Sequence, residues 1–354
     1  MKEREEKKKK LKILTKTGRK IGIMFDSIKG FLIVVLLLIL ITFFLSAIVH
    51  NILKVAEASN EYKGKYKNLY IAGDGMMNLY TVGEGDRVLV ILPELGSSSP
   101  VFKYKALADS LSTTFKVVIS EPLGYGYSLS TKEARTSENM VNELREALTN
   151  AGIRGPYTLL AFSNSSLYAE YYSKQYPGEI TGVITVDAIY PESLESEAFK
   201  DKYLPNVITN IRFFSFVAFS GLFRWRSYIR PAKFAIDQMQ VNDSYGAEEI
   251  KLYRNRIANK FLTREMRGEA ARLQSNMEAL SDYRFHTGLT ALQIITTNYR
   301  DEYLERQENI SRYAKNLITN DKLQKIRTIE GSVEDYLYNK DKIRELKNII
   351  NMYF

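Results

Sequence analysis

The longest uninterrupted run of apolar positions in the chain is FLIVVLLLILITFFLSAIV, residues 31–49, and it carries no charged side chain. A helix of this length crosses the roughly 30 Å of hydrocarbon in a bilayer. The run therefore predicts a transmembrane helix over about 31–53, a buried core helix and a cleaved signal peptide being the alternatives. Beyond it the pattern changes to short apolar runs divided by turn residues and by stretches of helical period. NLYIAGDGMMNLYTVGEGD reads as two short strands joined through glycine turns. VLVIL at 88–92, FKVVIS near 117, YTLLAF at 157–162, GVITVDAIYP from 182, TALQIITT at 290–297 and KIRTIEG near 328 read as further strands.

Helical stretches lie between these runs. One is capped by Thr136 or Ser137 and stops at Gly152, another covers 164–175 and ends at Pro177, and a closing amphipathic helix carries Ile343, Leu346, Ile349 and Ile350 on one face. Residues 192–285 have helix-like runs and no strong strand signal, so they read as an inserted helical cap. Strand and helix alternating in this way predict an α/β fold, a mostly parallel sheet with helices on both faces. The organisation expected is a tail over 1–30, the span over 31–53, a linker over 54–67 and one α/β domain over 68–354.

Charge changes this picture mainly at the N-terminus. The first thirty residues hold eleven Lys and Arg against four Asp and Glu, so +7 of the whole-chain +9 resides there. Basic flanks stay on the cytoplasmic side. The tail is therefore expected inside, the large domain outside the cell membrane, and anionic lipid headgroups beside the tail. With the remaining residues close to neutral, a nucleic-acid partner loses its electrostatic basis. The 354 residues, 45% of them hydrophobic, suffice for one large domain with an insertion. The chain has no cysteine and two histidines, His50 and His286. No metal-ligand cluster or phosphate-cradling motif stands out, so no cofactor is expected.

Two loops, ELGSSSP at 94–100 and EPLGYGYS at 121–128, follow strands at the sheet edge where such folds keep their chemistry. The order of strand, Gly-Ser loop, strand, EPLGYGYS, helix, strand, AFSNSS, helix, strand, DAIYP and cap resembles the α/β-hydrolase family from about residue 70 onward. EPLGYGYS is similar to that family's D-x-x-G-x-G-x-S loop, and Ala161-Phe162-Ser163-Asn164-Ser165 stands in the place of its nucleophile elbow. The resemblance implies Ser163 as nucleophile, with small neighbours at Ala161 and Ser165 and with the amides of Asn164 and Leu95 as oxyanion donors. It implies Asp301 as the triad acid, with Asp187 as the alternative.

The same resemblance implies a histidine base at or near Val333, and none is present in IEGSVEDYLYNKDKI. His50 is expected at the outer edge of the membrane helix and His286 at the N-terminal end of its strand, opposite the catalytic edge. Glu334 or Asp335 could replace the base in position only, since an ordinary carboxylate is a poor base for a serine hydroxyl. Pro93-Glu94 stands where the family has a glycine pair, and the elbow lacks both its glycines. A carboxylate at Glu94 would oppose an oxyanion unless it turned to solvent.

Within the cap, IRFFSFVAFSGLFRWRSYIR at 211–230 is either a lid helix over a pocket or an interfacial segment whose Arg224, Arg226 and Arg230 meet lipid phosphates. Either suits an apolar or lipid-like ligand. Three functions follow: a binding module that has lost the reaction, which is favoured; an active serine hydrolase using Ser163 with an atypical base; and a purely structural membrane protein.

Overall fold

Helix α1, Lys2–Asn60, runs without a break through the basic tail, the apolar stretch and the first residues beyond it. The computed structural model describes residues 2–60, 64–298 and 307–354. No proline or glycine occurs between residues 31 and 60, so nothing in the local sequence stops the helix where the apolar run ends. The segment Ser27–Glu57 is long and apolar enough to cross a membrane, and only 11% of its most apolar window is buried, which excludes a core helix of the domain.

The domain that follows is built on eight strands, β1 (Leu69–Ala72), β2 (Gly75–Val82), β3 (Val88–Leu92), β4 (Lys116–Glu121), β5 (Tyr157–Phe162), β6 (Ile180–Val186), β7 (Thr290–Thr296) and β8 (Gln324–Ile329). They form one sheet in the order β1-β2-β4-β3-β5-β6-β7-β8. The β1–β2 and β2–β4 pairs are antiparallel and all later pairs parallel. Alternate side chains of a strand point to opposite faces, and the sheet is buried on both. Val88, Val90, Leu92, Leu159 and Ala161 enter one apolar cluster, while Leu89, Ile91, Leu160 and Phe162 enter the other. This is why the strands read as continuous apolar runs.

Three helices pack on the first face: α3 (Ser137–Asn150), α4 (Ser166–Gln175) and α10 (Gln307–Asn316). The second is covered by α2 (Pro100–Leu111), α11 (Val333–Tyr338) and α12 (Lys340–Tyr353). Helix α3 starts where the Thr136 side chain accepts a hydrogen bond from the Asn139 amide, and α12 where Asn339 accepts from the amides of Asp341 and Lys342. Ile343, Leu346 and Ile350 of α12 are buried as the pattern requires.

Between β6 and β7 lies an all-helical insertion: α5 (Leu204–Phe219), α6 (Leu222–Ile229), α7 (Ile236–Gln240), α8 (Ala247–Lys260) and α9 (Arg264–Glu278). The apolar segment at 211–230 is thus two helices, broken at Gly221, whose φ is +73°. A Cβ at Gly221 would run into His50, so this glycine lets the cap lie directly on α1. Ser46 of α1 donates to the Ser220 carbonyl at 2.7 Å and accepts from Trp225 Nε1 at 3.3 Å. Further along α1, Glu57 takes both ends of the Arg224 guanidinium at 2.5 and 3.0 Å. On the outer side of this junction Phe213, Phe214, Leu222, Trp225 and Ile229 are exposed.

Candidate active site

The chain runs from β3 to β4 on one side and then returns to β5 on the other, so the carboxyl ends of β3 and β5 form a topological switch point. Leu92 is paired with Ala161 there. Leu95 stands three residues past β3 and Asn164 two residues past β5.

Ser163 follows β5 directly, with φ +52°, a left-handed conformation that a non-glycine residue adopts at a cost. It opens a single 3₁₀ turn, Ser163–Ser165, that leads into α4. Ser165 locks this elbow, since its hydroxyl lies 2.8 Å from the carbonyls of both Leu92 and Phe162 and accepts from the Phe162 amide at 2.8 Å. A hydroxyl therefore ties the turn to β3 at a position where the resemblance asked only for a small residue. Ser163 itself is half-buried, and no described side chain hydrogen-bonds to its hydroxyl.

The oxyanion loop differs from an open hole in one decisive contact. The Leu95 amide donates at 2.6 Å to the side-chain oxygen of Asn164. The side-chain Nδ2 of Asn164 in turn donates at 2.8 Å to Glu269 of α9, which also accepts from the hydroxyls of Tyr168, at 2.7 Å, and Tyr125. Glu269 and Asn164 are buried. Burial raises the Glu269 pKa, against the opposing pull of Tyr125, Tyr168 and Arg135. The cap thus reaches down and holds the Asn164 side chain across one of the two amides implied for an oxyanion. Glu94, beside Leu95, does not turn to solvent: it pairs with Lys103 and accepts from Tyr104.

Asp187, at the end of β6, also has a positive φ, +48°. Its carboxylate accepts from the amide and the hydroxyl of Thr296, both at 2.7 Å, and burial pushes its pKa up to about 6. Asp301 lies outside the described residues. In the loop after β8, Val333 opens α11, and Asp335 closes a capping box on Ser332 with bonds of 2.7 and 2.8 Å. Asp335 is thus engaged in starting a helix, while Glu334 is exposed and faces a cavity of about 440 Å³. That cavity lies between the oxyanion loop, the cap and α11, with Glu94, Ser97, Lys103 and Tyr253 in its wall, and Ser163 does not line it. His286 precedes β7 at the edge of the sheet opposite the elbow, and His50 is buried against the cap. In the EPLGYGYS loop, Glu121 accepts from the amides of Val101 and Tyr127 and from Asn78, at 3.1, 2.6 and 3.0 Å, so this acid braces the loop.

One turn into α4, Glu170 is fully buried and neither carboxylate oxygen has a hydrogen-bond partner. Burial, with repulsion from Glu192, holds its pKa well above the usual carboxylate range. The folded state therefore keeps a proton that the unfolded state releases. The stability it carries is full below the ordinary glutamate pKa and declines as pH rises above it. Glu170→Gln is expected to raise the melting temperature by several degrees at about pH 8 and to change it little at about pH 4. Equal shifts at both would exclude ionisation as the cause.

No family model matches the chain. Over 129 residues it is 31% identical to the uncharacterized protein YbdG of Bacillus subtilis (strain 168), a match that covers 36% of this chain and 40% of that protein. In three dimensions it is similar to an epoxide hydrolase from Vigna radiata, with TM-score 0.55 and 13% identity over 81% of this chain and 98% of that one. A thermophilic esterase from Thermogutta terrifontis gives TM-score 0.52 and 16% identity over 81% and 98%. The strand order, the elbow and these likenesses define an α/β-hydrolase fold.

Proposed function

We propose that this chain is a membrane-anchored binding module on an α/β-hydrolase fold of hydrolase ancestry, with serine hydrolysis lost or much weakened. The observation that carries this reading is the hydrogen bond from the Leu95 amide to the Asn164 side chain. An oxyanion donor acts by being free and aimed at the developing charge, and here the protein's own side chain occupies it. The chain also offers no histidine after β8 to take the Ser163 proton. Loss of such a base alone lowers turnover by about 10⁶.

The tail faces the cytoplasm and the domain the outside of the cell membrane, on the strength of the charge difference across the apolar helix. Anionic lipids are partners of the basic tail. The exposed apolar face of the cap enters the bilayer surface, because Trp225 bonds to Ser46 inside the apolar run. An apolar or lipid-like molecule is received there, while the cavity beside Glu94 and Lys103 suits a small polar ligand. A second reading, an active hydrolase using Ser163 with an atypical base, is favoured by the strained backbone at Ser163.

A fluorophosphonate probe separates the two. Full-length protein in detergent is expected to label no more than Ser163→Ala does; stoichiometric labelling of the wild type, lost in Ser163→Ala, supports the active reading and overturns the first.

A further inference from the structure

Where α1 leaves its apolar run, the turn bearing His50 and Lys54 forms one wall of a cavity of about 650 Å³. Helices α8 and α9 and the turn between them supply the opposite wall, including Arg256, Lys260, Arg264 and Arg267. Among the described residues of the lining, five cations therefore face a single carboxylate, Glu265. Among the described residues, Glu265 is the ion-pair partner of Arg264, at 3.2 Å, whereas Lys54, Lys260 and Arg267 have no carboxylate partner. Lys260 donates at 2.8 Å to the Ser128 carbonyl, and Arg256 lies buried over the Tyr127 ring at 4.5 Å. Burial lowers the pKa of Lys260 to about 8 and of Arg256 to about 10. A cation drawn out of water as Lys260 is gains from a matching anion.

The depth of the cavity narrows the choice of anion. Ser46, one turn before His50, lies inside the apolar run and is hydrogen-bonded to the cap at Ser220. Glu57, beyond Lys54, is clasped by Arg224 and by Asn259 at 2.8 Å. The helix is fixed to the cap on both sides of the cavity, which places it at headgroup level when the apolar run spans a bilayer.

We propose that this cavity binds a phosphate group, and that an anionic phospholipid headgroup of the outer leaflet supplies it. The inference rests on the membrane anchoring put forward above. Arginine and lysine together offer the charge-assisted hydrogen bonds that a phosphodiester accepts. Inorganic phosphate has the same chemistry, and the test includes it.

Full-length protein in a nonionic detergent is titrated by calorimetry with dihexanoyl-phosphatidylglycerol, dihexanoyl-phosphatidylcholine and inorganic phosphate. Phosphatidylglycerol is expected to bind about tenfold tighter than phosphatidylcholine, and K54Q/R264Q/R267Q to lose about that factor. Lys54 and Arg264 are exposed and Arg267 is half-buried, so the melting temperature should hold, and the charge-conserving K54R/R264K/R267K should retain binding. Inorganic phosphate binding as tightly as phosphatidylglycerol supports the cation cradle and assigns it to a soluble phosphate. Equal affinity for the two lipids, or unchanged phosphatidylglycerol binding in the neutralised variant, overturns the proposal. Carbonate extraction of wild-type membranes is run separately: release of the protein defeats the anchoring and leaves the titration in detergent readable.

Discussion

Glu269→Ala is expected to destabilise the domain by about 3–5 kcal/mol, the range seen when one partner is removed from a buried charged network. Three donors, the hydroxyls of Tyr125 and Tyr168 and the side-chain amide of Asn164, converge on this carboxylate, and all three residues are buried. Each buried donor left without an acceptor costs about 1–3 kcal/mol. Glu269→Gln keeps one oxygen as acceptor and, since a tyrosine hydroxyl can turn to accept from the new amide, should cost less than half as much. Urea unfolding of the two variants measures the difference. A cost for Glu269→Ala near that of an ordinary surface change, within about 0.5 kcal/mol, would mean that the cap does not hold the elbow.

That network marks the boundary of what the sequence makes legible. The strands are legible because a sheet covered on both faces needs apolar residues at every position, as in VLVIL and YTLLAF. The elbow is legible because a hydroxyl flanked by small residues at a strand-to-helix corner is local information. The Asn164 side chain is not. Its bond to Leu95 joins residues 69 positions apart and its bond to Glu269 joins residues 105 apart, so both exist only once β3 is beside β5 and α9 has folded over the elbow. The sequence points to the Asn164 backbone as an oxyanion donor and carries no signal for the side chain's hold on the other donor.

Of two other differences, one has a local cause and one does not. The apolar run ends at Val49, but the helix that contains it continues to Asn60, because hydrophobicity sets where a span ends and helix breakers set where a helix ends. The apolar cap segment divides at Gly221 because α1 must pass against it. Neither partner in that contact is visible from the other's position in the chain. Glu170 carries no signal in the sequence, since an acidic residue in a helix reads as solvated until both of its faces are known to be covered.

The second large effect expected is a gain of function that needs two changes together. Val333→His restores a base at the position after β8, but with the Leu95 amide still held by Asn164 the serine should react with a fluorophosphonate about as slowly as in the wild type. Asn164→Ala alone frees the amide and supplies no base. Combined, the two should raise the rate of Ser163 labelling by about 10²-fold or more, the scale associated with one oxyanion donor. Ser163→Ala in the same background must abolish that gain, since otherwise the probe is reacting elsewhere. If Val333→His alone is as fast as the double variant, the Asn164 contact is no obstacle. A double variant no faster than the wild type places the block outside both the base and the hole. The experiment asks whether the strained turn at Ser163, which costs free energy to keep, still presents a hydroxyl where a nucleophile has to stand.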